Sequence, residues 1–564
     1  MTPAEKFKAE TIKLISKAVN LSEKQIEGLL EKPPEGIDAD LAFPCFSLAK
    51  QSGKAPVLIA YDIEKSCKPR GFIKQVRATG PYVNFYADWD ELGQEILKQI
   101  IAEKSRYGSS NIGKGKKVIV EYSSPNIAKP MSVGHLRSTV IGQSIFNILD
   151  FLGYSCMSIN HIGDWGTQFG KLLYAYKKWG SAKLRKNPIE ELFLLYQRFH
   201  KEAEKKPELE EEARKCFKRL EEGDKEFTML WKSFTNSSLA EFNKIYKILG
   251  VRFDHITGES FYLTLAKDVI KEAGQKGVSK ESKGAVIIEV NNLSPLIIQK
   301  SDEATVYGTR DLACIKYRKK KFNPDKILYV VGSEQNMYFS QLFMAAEKLG
   351  YAKKEELVHI SFGLMSLKEG KISTRAGRVV FLEDVIDKTL ELAGKIIREK
   401  GLSANKRELA RQVGIGVIKY NDISRDRIKD VVFDWDSMLS FDGDTAPYIQ
   451  YTHARANSIL LKGRVKAAGA FNAGLLKDEK EKHIIKLLME FPRVVQDAAR
   501  DYKPHYIANY VYDLANKFNE FYQSIPVLKA PSELRKARLA LVIATKIVIA
   551  NALSLLGIES PGKM

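Results

Sequence analysis

The segment Ser124-Pro125-Asn126-Ile127-Ala128-Lys129-Pro130-Met131-Ser132-Val133-Gly134-His135-Leu136-Arg137-Ser138 leads out of a β-branched stretch into a helical pattern. A turn from strand to helix presents unpaired N–H groups and the positive end of the helix, which favours an anion or a nucleotide. Gly134 lets a flat base approach the backbone, and His135 beside it can donate a hydrogen bond to a phosphate or ribose. A second pairing is Tyr307 with Asp311. Four apart on a helix, they share one face; such a pair is usually a plain surface pair, and a carboxylate with an aromatic ring beside it is also able to clamp a planar guanidinium.

Both constellations need a scaffold, and the surrounding pattern supplies one. Lys117 to Tyr122 is a short β-branched run that stops at Ser123-Ser124-Pro125-Asn126, and a helical pattern follows from His135 to Leu152. Lys326 to Gly332 repeats the arrangement, again ahead of a helical segment. Short apolar runs bounded by turn residues suit the buried strands of a parallel sheet, and strand–turn–helix repeated implies an α/β nucleotide-binding core. The charged stretch 171–250 reads as helical hairpins inserted into that core. Residues 1–112 mix helical periodicity with extended runs such as Tyr82-Val83-Asn84-Phe85 after the Gly80-Pro81 turn, which predicts a small α+β module. Beyond about residue 390 the pattern predicts helices without a convincing strand, ending in an all-α domain.

Length and charge bound the rest. At about 100–200 residues per domain, 564 residues make three or four domains. The 44% hydrophobic content excludes global disorder. The net charge of +20 favours a polyanionic partner, nucleic acid before membrane. Cys45, Cys67, Cys156, Cys216 and Cys314 are odd in number and scattered, so neither a disulfide framework nor a zinc knuckle is readable, and a reducing, cytoplasmic compartment is expected. The N-terminal stretch Met1 to Leu14 lacks the apolar core of a signal peptide. Leu539 to Ile558 is nearly long enough to span a bilayer, but Lys546 and Asn551 inside it favour a buried helix and no membrane.

The whole string from Ser124 to Ser138 resembles the HIGH signature of class I aminoacyl-tRNA synthetases, in the form found in arginyl-tRNA synthetases. Further matches follow in order: Asn160-His161-Ile162-Gly163-Asp164-Trp165-Gly166-Thr167-Gln168-Phe169-Gly170, Tyr307-Gly308-Thr309-Arg310-Asp311, Val330 to Gln335, Gly370 to Arg375, and Phe441 to Tyr448. The resemblance extends from Gly80-Pro81 to Gly557-Ile558-Glu559-Ser560-Pro561. It implies a Rossmann-like α/β catalytic core with helical insertions (113–390), an N-terminal α+β module that grips the tRNA elbow (1–112), a helical connection (391–445) and an all-α anticodon-binding bundle (446–564).

The implied reaction has two steps. Arginine's carboxylate attacks the α-phosphate of ATP, and arginine then passes to the 3′-terminal adenosine of tRNA-Arg. The first step develops charge on phosphorus and needs fixed positive and hydrogen-bonding groups more than a base. By the resemblance, Gly134, His135, Ser373, Lys371 and Arg375 meet ATP, with His135, Lys129, Lys371 and Ser132 carrying the chemistry. Two positions depart from the signatures. Ser132 stands for the first histidine, and KMSK becomes Lys371-Ile372-Ser373-Thr374, so Lys129 is expected to supply the missing charge. Arginine is expected against Glu121, Ser124, Asn126, Tyr307, Asp311 and Gln335, and the tRNA elbow against Asn84 and Phe85. Aromatic and basic residues interleaved from Arg500 to Tyr522 suit unpaired RNA bases. The implied partners are ATP with Mg2+, L-arginine and tRNA-Arg, with the protein a monomer and no protein-borne metal site. Two alternatives stand beside this reading: a paralogue that binds tRNA or ATP without charging, motivated by Ser132 and Thr374, and a class I enzyme for another amino acid. The pocket set opposes the first, and Asp311, which asks for a cationic substrate, opposes the second.

Overall fold

The computed structural model describes residues 2–33, 36–180, 188–301, 305–367, 370–371, 381–399, 401, 406–434, 438–464 and 469–564. The N-terminal module packs helices around an antiparallel sheet of β1 (Leu41–Pro44), β2 (Ile73–Thr79) and β3 (Tyr82–Ala87), with β3 in the centre.

The centre of the molecule is a five-stranded parallel sheet. Its strands are β4 (Lys117–Glu121), β5 (Ser155–Ile162), β6 (His255–Gly258), β10 (Lys326–Gly332) and β11 (Leu357–Phe362), in the order β11–β10–β4–β5–β6. Val118, Ile119 and Val120 of β4 are buried, as a strand covered by helices on both faces requires. The chain runs outward from β4 to β6 and later returns on the other flank as β10, so the order reverses beside β4. Carboxyl ends of strands at such a reversal form the crevice where ligands bind in open α/β sheets. The charged stretch between β5 and β6 is helical, with helices Thr167–Trp179, Pro188–Lys205, Glu208–Glu221 and Lys225–Leu249.

Two features depart from the sequence-based expectation. Strands β7 (Ser279–Ser282), β8 (Ala285–Ile288) and β9 (Leu296–Gln299) form a small antiparallel sheet ahead of the helix Tyr307–Phe322. A strand also lies beyond residue 390. Strand β14 (Val431–Phe433) pairs in parallel with β12 (Met365–Leu367), which in turn pairs with β13 (Gly370–Lys371). Its three residues are too few for a periodic signal, and its partner lies far away in sequence.

The C-terminal bundle comprises Ala446–Lys462, Glu479–Asp501, His505–Ser524 and Ser532–Leu555. The last helix is apolar and long enough to cross a membrane, yet 67% of its most apolar window is buried inside the molecule. Lys546 Nζ donates to Asn457 Oδ1 at 2.7 Å, and Asn551 Nδ2 donates to the carbonyls of Lys104 and Tyr107 at 2.9 and 3.1 Å. Both polar groups thus have partners within the protein. The second contact ties the bundle to the segment that follows the N-terminal module.

Candidate active site

At the carboxyl end of β4 the backbone leaves ordinary territory. Ser123, Ser124 and Ala128 have φ of +74°, +47° and +63°, a conformation that costs non-glycine residues about 1–3 kcal/mol each. Hydrogen bonds hold it in place. Ser123 N–H donates to Ser138 Oγ at 2.9 Å, Ser124 N–H to Asn160 Oδ1 at 3.1 Å, and Ala128 N–H to Ser238 Oγ at 3.1 Å. Ser123 Oγ also lies 2.8 Å from Tyr246 OH. The Ser124 hydroxyl is buried and has no partner, whereas the Asn126 side chain is exposed. Asn126 sits against Gly163 of the neighbouring loop, where a Cβ would fall 2.1 Å from its Oδ1, so that approach requires glycine.

The helix Val133–Phe151 begins beyond this turn, with Ser132 at its N-cap. Ser132 N–H donates to His135 Nδ1 at 3.0 Å, and Ser132 Oγ lies 3.1 Å from the same atom. Accepting on Nδ1 leaves the ring proton of neutral His135 on Nε2. Burial, and then the Lys129 ammonium, push its pKa down to about 4, so the ring is neutral at physiological pH. Gly134 is exposed, and a Cβ there would meet only Ser132 Oγ, at 3.6 Å, so the helix start stands open to a flat ligand. Lys129 Nζ lies 4.9 Å from the Tyr196 ring centroid.

Arg137, one helical step on, is fully buried. Its Nε donates to Asp422 Oδ1 at 2.9 Å, Nη1 to the carbonyls of Gly363 and Leu364 at 2.6 and 3.1 Å, and Nη2 to those of Arg427 and Lys429 at 3.1 and 2.8 Å. Gly363 and Leu364 lead into β12 and hence to Lys371, which pairs with Ser366 in the β12–β13 hairpin. On the far side of the second signature, Phe381 bridges to Ser132 and Leu382 N–H donates to Met131 O at 2.8 Å. The flanks of the second signature are therefore fastened to the first. Ser373 and Arg375 themselves lie outside the described residues.

A second cluster of polar side chains gathers residues of β4, β5 and the helix Tyr307–Phe322. Tyr307 opens that helix and is 59% exposed, with the Arg310 guanidinium 4.9 Å from its ring centroid. Asp311, one turn on, accepts a hydrogen bond at Oδ2 from Tyr338 OH, and its Oδ1 lies 4.0 Å from His161 Nε2. Burial raises the Asp311 pKa above the ordinary carboxylate value. Other buried carboxylates nearby carry an arginine of their own: Asp422 has Arg137, Glu259 has Arg310 at 2.9 Å, and Glu121 Oε2 lies 2.5 Å from Arg318 Nη1. Asp164 has both oxygens satisfied by Ser260. Among the described residues, Asp311 has no lysine or arginine ion-paired to it.

Two expected contacts change with this geometry. Glu121 is buried and one of its oxygens is already balanced by Arg318, so it is not a free counter-charge for a ligand. Phe85 is buried in the core of the N-terminal module, which corrects its expected contact with tRNA. Asn84 on the same central strand is also buried, with neither amide atom hydrogen-bonded, and Arg77 pairs with it from the adjoining strand. Gln335 is exposed in the turn after β10, three residues ahead of the Tyr338 that holds Asp311. Tyr338, Arg318 and Arg137 were not singled out from sequence. Arg137 stands inside the first signature, though nothing there names its distant partners, and no local pattern marks Tyr338 or Arg318.

Glu121, His161 and Cys314 place ligand-type atoms within 4.8 Å of one another. Their chemistry does not suit a cation site. Arg318 already supplies a positive charge there, and burial pushes the Cys314 thiol up to about 12, keeping it protonated.

Comparison with known proteins accounts for the whole chain. The family model described as tRNA synthetases class I (R), catalytic domain, matches residues 96–435, the arginyl tRNA synthetase N-terminal domain matches 5–87, and the DALR anticodon binding domain matches 449–564. The arginine–tRNA ligase of Clostridioides difficile is 46% identical over 555 residues, covering 98% of each chain. That of Halothermothrix orenii is 46% identical over 563 residues, covering 99% of this chain and 100% of its own. In fold, the chain resembles Thermus thermophilus arginyl-tRNA synthetase, with a TM-score of 0.81 at 24% identity over 100% of this chain and 99% of that one.

Proposed function

The chain belongs to the arginyl-tRNA synthetase family of class I aminoacyl-tRNA synthetases and ligates arginine to tRNA, and from that premise we propose how its residues divide the work. One observation carries the assignment of the amino-acid pocket: Asp311 is a partly buried carboxylate without a resident lysine or arginine among the described residues. The substrate's guanidinium supplies that missing charge. Tyr307 lies over it, Glu121 borders it through its second oxygen, and the unpartnered Ser124 hydroxyl with Asn126 and Gln335 holds the amino-acid head group.

ATP enters as its magnesium complex, the metal carried on the phosphates as part of the substrate. Gly134 leaves room for the adenine, and the helix N-terminus faces the phosphates. Neutral His135 donates from Nε2 to a phosphate oxygen. The arginine carboxylate attacks the α-phosphorus, the bond to the β-phosphate oxygen breaks, and pyrophosphate leaves. Lys129, Lys371, Ser373 and Arg375 stabilise the negative charge that moves onto the leaving group, and Ser132 acts by orienting His135. The 3′-terminal adenosine then attacks the adenylate carbonyl, forming the ester and releasing AMP.

Residues 1–112 dock the tRNA elbow, through residues other than the buried Asn84 and Phe85; 113–390 is the catalytic unit, 391–445 the connection that β14 fastens to it, and 446–564 reads the anticodon. The protein acts as a cytoplasmic monomer, in keeping with five free cysteines. Arginine-dependent ATP–pyrophosphate exchange with and without tRNA tests the reading. Exchange that appears on adding tRNA-Arg is expected. No exchange in either reaction, despite tight tRNA binding, would favour the non-charging alternative.

A further inference from the structure

His161 has no role in the division of labour above, yet its placement is unusual for a histidine that only fills space. Both ring nitrogens are buried and neither has a hydrogen-bond partner. Buried polar groups in native proteins are nearly always paired, and an orphan 4.0 Å from a carboxylate that lacks a resident cation marks a place where a cationic ligand can complete the pairing. The ring lies at the carboxyl end of β5, tilted against Tyr262 with centroids 5.7 Å apart. Asp311, Glu121, Cys314 and Asp164 supply the titratable groups around it.

The decisive distance is between His161 Nε2 and Asp311 Oδ1, 4.0 Å. That gap is too long for a hydrogen bond, and Asp311 Oδ2 is already engaged by Tyr338. The terminal nitrogen of a guanidinium carries two N–H bonds that diverge by about 120°, which at ordinary hydrogen-bond lengths reach two acceptors roughly 5 Å apart. A modest bend brings one N–H to Asp311 Oδ1 and the other to His161 Nε2. Resting on the assignment of this pocket to arginine, we infer that His161 is a specificity-determining residue, a neutral imidazole that accepts the second hydrogen of one terminal guanidinium nitrogen.

With both hydrogens of that nitrogen engaged, a methyl group on it has no place. The inference therefore predicts discrimination against symmetric NG,N′G-dimethyl-L-arginine, in which each terminal nitrogen carries a methyl group, and predicts that shortening His161 relieves it.

The test compares wild type, His161→Ala and His161→Asn in ATP–pyrophosphate exchange with arginine and with symmetric NG,N′G-dimethyl-L-arginine, tRNA present throughout. His161→Ala is expected to raise the KM for arginine at least about tenfold, leave the KM for ATP within about twofold, and lower the preference for arginine over its methylated form at least about tenfold. His161→Asn, which keeps a short acceptor, is expected to lie between, and it replaces the alanine variant if that one does not fold. A ring that only fills space would lower both substrates in parallel, and an unchanged preference overturns the inference. Asp311→Asn separates this failure from failure of the pocket. Full arginine exchange in that variant removes the pocket assignment itself, whereas an inactive Asp311→Asn beside an unchanged His161→Ala removes only the role of His161.

Discussion

Two polar regions flank the signature turn, and they are built on opposite terms. Around Arg137, every guanidinium nitrogen is engaged, by one carboxylate and four backbone carbonyls from segments beyond residue 360. Around Asp311, the Ser124 hydroxyl and both His161 nitrogens are unpartnered, and the carboxylate has no resident cation among the described residues. Arg137 and Asp422 are fully buried, whereas the Asp311 side chain keeps 28% of its surface exposed and His161 12%. The Arg137 side is also the more complete, with its guanidinium fully engaged and only Asp422 Oδ2 left without a hydrogen bond. A paired network in low dielectric holds parts together, and an unpaired one costs stability that a ligand returns.

Breaking the complete region should cost the fold. Arg137→Ala is expected to lower stability by about 3–5 kcal/mol, since it leaves Asp422 and four carbonyls without their partner. Chemical denaturation measures this, and a loss below about 1 kcal/mol would mean the network is not a weld. Arg137→Lys keeps the charge but not the fork, and should recover only part of the loss.

A buried cation in a third place sharpens the contrast. Lys419 is buried and donates to the Gly557 carbonyl, and burial pushes its pKa down from 10.5 to about 8. Between those values the unfolded chain binds the proton and the folded chain releases it, so this group makes stability rise from pH 8 towards 10.5. The rise approaches about 3 kcal/mol, and Lys419→Met should remove it. A pH–stability profile identical in the variant would contradict this.

The incomplete region should show itself in binding rather than stability. Because burial raises the Asp311 pKa, protonation on acidification removes the charge that guanidinium needs at a higher pH than for an ordinary aspartate. The KM for arginine should therefore climb about tenfold per pH unit once below that pKa, with the KM for ATP much flatter. Parallel changes in both would point to a cause outside the pocket. The smallest effect is expected at Ser132→His, which should leave the exchange rate within a few-fold of wild type or raise it. A large loss would assign the serine more than the orientation of His135.

Much of this was legible in the residues themselves. The run from Lys326 to Gly332 is a strand over its full length, and Tyr307 and Asp311 do share a helix. The turn after β4 carried its own signal, since Ser124-Pro125-Asn126 ends a strand and Gly134-His135 opens a helix. What stayed hidden is pairing across long distances. Nothing local says that Glu121 meets Arg318, that Arg137 meets Asp422, or that Val431–Phe433 joins β12 as a strand. Phe85 failed for a related reason. The resemblance implied a tRNA contact there, but both Phe85 and Asn84 on that central strand are buried by neighbouring segments.

The central claim is that arginine's guanidinium completes the charge at Asp311. Asp311→Asn preserves the shape and removes only that charge, so arginine-dependent ATP–pyrophosphate exchange with tRNA present, measured alongside ATP affinity, tests it most directly. The account predicts a fall in kcat/KM for arginine of about 10³-fold or more with ATP affinity within about twofold of wild type. Exchange at the wild-type rate and the wild-type KM for arginine would contradict it.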